Sequence, residues 1–144
     1  MSEKHFAKGQ CLCGDISYVI SSAPVRMGQC HCEDCRKSTG TGHASNAFFE
    51  KDSISIEGEA SSYDSNTDTG SIITRYFCPN CGSRLFGTSN VATNIMSVSA
   101  GSFDNSSWFK ANAIVYNKSR PEWDIMAKDI PTFEEMPPAQ PVAK

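Results

Sequence analysis

No wholly apolar run in these 144 residues extends beyond a few positions. A membrane-spanning helix needs roughly 20, so a helical membrane protein is not expected. The opening Met1-Ser2-Glu3-Lys4-His5-Phe6 lacks the apolar stretch of a secretory signal. A basic excess is missing too. Thirteen Lys and Arg stand against 16 Asp and Glu, for a net charge of −3 and a pI near 5.5. That balance shows no footprint for nucleic acid. Internal repeats and long amphipathic helical patterns are absent as well. Cysteine, at seven residues in 144, falls below the roughly 8–10% of a small disulfide scaffold. The number is also odd, and a disulfide framework would leave one over. A reducing, cytoplasmic setting is the expectation.

With 39% hydrophobic and 20% charged residues the chain has globular composition and enough length for a core. Short strands between turn residues dominate. Ile16, Tyr18 and Ile20 alternate, while Ile54–Ile56, Ile72–Phe77, Ile95–Val98 and Ala113–Tyr116 are β-branched or aromatic runs. A short helix is predicted over Glu33–Ser38, ended by Gly40. The polar stretch Ser61–Gly70 reads as a solvated loop or hairpin tip. The fold class is therefore mainly β, with short antiparallel strands. One domain is expected over residues 7–124. Residues 125–144, with four prolines from Pro131 onward, would form an extended or partly disordered tail.

The cysteines fall into three groups: Cys11 and Cys13; Cys30, Cys32 and Cys35; Cys78 and Cys81. Residues i and i+2 of a strand share a face, so Cys11 and Cys13 can offer two thiolates to one ion, as can Cys30 and Cys32. Cys35 returns after a C-x-x-C turn as a third. Cys78-Pro79-Asn80-Cys81-Gly82 has the form of a zinc knuckle, with proline presetting φ and glycine accepting a positive φ. A closed zinc site takes four sulfurs. Two pairs make one such site and leave a group of three with an open position. Spacing alone also permits Cys32 and Cys35 to join Cys78 and Cys81.

The ordered motifs Gly9-x-Cys11-x-Cys13-Gly14, Cys30-His31-Cys32-x-x-Cys35-Arg36-Lys37 and Phe77-Cys78-x-x-Cys81-Gly82-Ser83 resemble the glutathione-dependent formaldehyde-activating enzyme (GFA) family, or CENP-V/GFA domain. Arg120-Pro121-Glu122-Trp123 and Pro131-x-Phe133-Glu134 look similar too, so the likeness covers nearly the whole chain. The resemblance implies a zinc-stabilised β-tent and up to two Zn²⁺ per chain. A structural zinc would sit on Cys11, Cys13, Cys78 and Cys81, and a second on Cys30, Cys32 and Cys35. It also implies a carbon–sulfur lyase or synthase that joins a small-molecule thiol such as glutathione to formaldehyde or a similar aldehyde. The rival expectation is a non-catalytic zinc module for protein interaction.

A metal with three thiolates can take an outside thiol at its fourth position, where coordination favours the nucleophilic thiolate. Arg36 and Lys37 follow Cys35 directly and can stabilise thiolates or receive a glutathione carboxylate. Arg75 and Arg84 flank the knuckle and offer the same. His31 is expected to point away from the cysteines as a supporting or surface histidine. His43 is a candidate proton shuttle or an ordinary loop residue. Trp108, Phe109 and Trp123 are expected to cover the core.

Overall fold

The computed structural model describes residues 5–137. Strands β1 (Ala7–Gln10), β2 (Ser17–Ile20) and β5 (Ile54–Glu57) form a three-stranded antiparallel sheet in the order β1-β2-β5. A seven-stranded sheet is built from β3 (Arg26–Cys30), β4 (Ala44–Glu50), β6 (Ser61–Asn66), β7 (Ile72–Phe77), β8 (Arg84–Ser89), β9 (Ala92–Ser99) and β10 (Ala113–Val115). Its order is β10-β3-β4-β9-β8-β7-β6, antiparallel except where β10 lies parallel to β3. The only α-helix among the described residues is α1 (Glu33–Thr39), closed by Gly40 at φ 77°. It is far too short to cross a membrane.

Alternation fixes which side chains go inside. In β2, Tyr18 and Ile20 are buried and Val19 is exposed, the two-residue period of a strand with one wet face. In β4, Ala44, Ala47 and Phe49 are buried. The two sheets close over Ile16, Tyr18, Phe49, Leu85, Phe86, Val98 and Phe103. Aromatic edges meet faces here: Tyr18 lies 5.4 Å from Phe86, and Phe103 lies 4.8 Å from Trp108. Phe49 is fully buried and touches the rings of Phe6, Phe103 and Trp108. Phe49→Ala should therefore lower the unfolding free energy by about 3–5 kcal/mol, measured by urea titration.

Two expectations need correction. Of the stretch Ser61–Gly70, Ser61–Asn66 is not loop but the edge strand β6, paired with β7 from Ser61↔Phe77 to Asn66↔Ile72, and the hairpin tip is confined to the turn from Thr67 to Ser71. An edge strand leaves one side to water and needs no apolar alternation, so its polar sequence concealed it. Trp123 covers no core; it is 68% exposed, whereas Trp108 and Phe109 do pack on the core.

The described part of the tail is extended, and it is held. The Ile114 N–H donates to the Pro131 carbonyl at 2.8 Å, and the Phe133 N–H donates to the Ile114 carbonyl at 2.8 Å. Asn117 and Lys118 reach the carbonyls of Phe133 and Glu134. Residues 131–135 thus run along the free side of β10, with Thr132 in parallel register to Ile114. Residues 138–144 of the expected tail lie outside the described residues.

Candidate metal centres

The seven cysteines form two clusters. Cys11, Cys13, Cys78 and Cys81 bring their sulfurs within 4.8 Å of one another, and Cys30, Cys32 and Cys35 do the same separately. Local shape differs from the pleat argument. Cys11 and Cys13 sit in the turn that follows β1, and Cys32 caps α1 rather than continuing β3.

In the four-sulfur cluster, the Cys13 Sγ lies 3.7 Å from Cys11 Sγ and 3.7 Å from Cys78 Sγ. Sulfurs on a tetrahedral zinc with bonds near 2.3 Å stand about 3.8 Å apart. A disulfide needs about 2.05 Å, and all seven cysteines are free thiols. The spacing therefore fits zinc. Backbone donors aim at these sulfurs: the Ile16 N–H reaches Cys11 at 3.3 Å and the Cys81 N–H reaches Cys78 at 3.5 Å. Gly82, at φ 81°, turns the knuckle as an L side chain could not do without strain. The Ser83 hydroxyl lies 3.2 Å from Cys81 Sγ and, with its backbone, pulls that thiol down to about 5. The link from Cys13 to Cys78 joins the start of the chain to the β7–β8 turn.

The three-sulfur cluster sits where β3 ends and α1 begins. The Cys35 N–H donates to Cys32 Sγ at 3.3 Å, and the Cys32 N–H to Cys30 Sγ at 3.5 Å. Hydrogen bonds from Cys30 and Cys35 hold the Cys32 thiol far below its usual range, helped by the Cys35 backbone and the charge of Arg75. The same contacts, with burial, push Cys30 up. Arg84 is half-buried and its charge bears on all three cysteines. The Nε atoms of Arg36, Arg75 and Arg84 are buried without hydrogen-bond partners. Among the described residues, no carboxylate pairs with any of these three arginines. Lys37 is exposed.

Sequence reasoning missed two groups. Tyr116 is the one non-glycine described residue at positive φ, 56°, and its hydroxyl donates to Asp68 at 2.8 Å. Cys30 and Cys32 bear on its acidity, after burial and Asp68. No local pattern announced it. The second group is His31, His43 and Asp124, whose donor atoms also lie within 4.8 Å of one another. His31 is not a surface residue; it is fully buried between the two cysteines that flank it in sequence. Two shallow hollows, one beside Lys8, Tyr18 and Asp104 and one beside Glu50, Lys51 and Asn94, contain no cysteine.

Residues 6–119 match the family described as glutathione-dependent formaldehyde-activating enzyme, a span holding all seven cysteines. The chain belongs to the GFA family. A relative in Schizosaccharomyces pombe, described as an uncharacterized lyase, is 30% identical over 79 residues. That match spans 55% of this chain and 55% of the relative, so it reaches about half of either protein. A crystal structure of a Rhodobacter sphaeroides protein superposes with a TM-score of 0.55 at 19% identity, over 68% of this chain and 88% of that one. This second likeness speaks for the fold alone. GFA membership agrees with the mainly β architecture and with the order of the cysteine motifs.

Proposed function

We propose that this GFA protein is a zinc-dependent carbon–sulfur lyase or synthase, acting reversibly on a glutathione-like thiol and formaldehyde or another small aldehyde. One observation supports the reading: three converging sulfurs with no fourth protein sulfur, beside Arg75 and Arg84, which pair with no carboxylate among the described residues. Cys30, Cys32 and Cys35 would hold the ion, and Cys11, Cys13, Cys78 and Cys81 a separate structural one. The bound ion would supply a coordination position that favours the thiolate form of an incoming thiol. In the forward direction the thiol sulfur forms a bond to the aldehyde carbon, the C=O π bond breaks, and the thiol proton finishes on the new hydroxyl. Reversal returns thiol and aldehyde. Arg75 and Arg84 offset the negative charge of the thiolates and of an anionic co-substrate, and Arg36 can receive a carboxylate. The relative's description as a lyase supports the same class.

The test is exchange NMR on glutathione and formaldehyde. The zinc-loaded protein should speed exchange above the uncatalysed rate, and prior chelation should return it to that rate. If the loaded protein leaves exchange unchanged and glutathione perturbs no metal signal, the chain is a non-catalytic zinc module instead.

A further inference from the structure

Directly after Cys30 in sequence, His31 joins His43 and Asp124 in a cluster that neither cysteine group explains. The His31 Nδ1 lies 2.8 Å from the Gly42 carbonyl oxygen and 3.4 Å from Asp124 Oδ2. The His43 Nδ1 lies 2.7 Å from that same Asp124 oxygen. The two imidazole rings meet edge to face, with centroids 5.4 Å apart. Asp124 is only 12% exposed in its side chain, and among the described residues no Lys or Arg pairs with it. Arg120 stands near enough for its charge to bear on His31, but it donates to the backbone carbonyls of Pro121 and Asp124 rather than to the Asp124 carboxylate. A carboxylate this buried without a strong cationic partner is costly. Gly42 makes room for it: a Cβ there would overlap Asp124 Oδ2.

We propose that His31, His43 and Asp124, with the Gly42 carbonyl beside them, form a third cation site for a borderline divalent metal such as zinc or cobalt. The donor set is two imidazole nitrogens and a carboxylate oxygen, which suits that metal class and differs from the all-sulfur sets nearby. Ligand atoms on a tetrahedral ion with bonds near 2.1 Å stand about 3.4 Å apart; the His31–Asp124 separation of 3.4 Å matches, whereas the 2.7 and 2.8 Å contacts are hydrogen bonds that must open for an ion to enter. The ion balances the buried carboxylate. It also fastens the segment carrying Asp124 to the turn between Cys30 and Cys32, because His31 lies in that turn. This site stands apart from the proposed chemistry and survives its failure.

The experiment titrates Co²⁺ into the metal-stripped full chain, comparing wild type with His43→Gln and Asp124→Asn. Cobalt on thiolates gives sulfur-to-metal charge-transfer absorption, whereas cobalt on nitrogen and oxygen gives only weak visible bands. Wild type should take one more equivalent than His43→Gln, arriving without further charge-transfer absorption, and native mass spectrometry should show the same difference of one ion. His43→Gln keeps a hydrogen-bonding side chain and touches no cysteine, so it should fold even if Asp124→Asn does not. Equal stoichiometry in wild type and His43→Gln overturns the proposal. The cluster is then a hydrogen-bonded clasp only.

Discussion

Cys78→Ser should leave the protein unfolded, or nearly so, at room temperature. Cys78 is fully buried within the core cluster and stands at the turn from β7 to β8. Its sulfur and that of Cys13 tie together residues 65 positions apart. Structural zinc in small domains contributes on the order of 10–16 kcal/mol, against a total stability of about 5–15 kcal/mol. Loss of one thiolate removes most of that contribution, so the core cannot carry the deficit. Circular dichroism should show a lost cooperative melt, and a zinc chelator should reproduce it with wild type. A variant melting within a few degrees of wild type would reject a structural zinc on these four cysteines. Acid should act in the same direction. Cys81 is held down at about 5 by Ser83, against an ordinary thiol near 8.5. Its stabilising charge is fully present above the ordinary value and is lost as pH falls toward 5.

Cys35→Ser should have the opposite profile, abolishing the accelerated thiol–aldehyde exchange while sparing the fold. Cys35 lies in α1 rather than in either sheet, and its cluster joins residues close in sequence. A buried substitution of this kind costs about 1 kcal/mol, or about 2–4 °C in melting temperature for a chain of this size. Elemental analysis should find one zinc fewer per chain, and exchange should fall to the uncatalysed rate. Equal thermal losses for Cys35→Ser and Cys78→Ser would sink the division into a structural and a reactive site.

Local chemistry was legible in the sequence; long-range pairing was not. Cys30, Cys32 and Cys35 are neighbours by spacing alone, and the end of α1 followed from Gly40. Strands β2, β5, β7 and β10 showed themselves by β-branched runs. By contrast, nothing local could tell whether Cys78 would meet Cys13 or Cys32, since spacing constrains only nearby residues. Strand β6 was hidden because a polar edge carries no apolar period. His43 and Asp124 lie 81 positions apart with no motif joining them. Trp123 misled because the bulk of tryptophan suggests burial, yet its segment is placed by Arg120 and Asp124 instead.

The strip of residues 131–135 along β10 also guards against self-association. Beneath it, Ala113-Ile114-Val115 is a short β-branched strand whose outer N–H and C=O groups at Ile114 are occupied by Pro131 and Phe133. A proteolytic nick between Ile125 and Ile130 would release that strip and bare a template for strand addition by another molecule. At the far border, β6 presents Ser62, Asp64 and Asn66, and a charged, polar rim of that kind discourages edge-to-edge growth. The sheet is thus protected by chemistry at one border and by its own chain at the other, and only the second protection can be cut away.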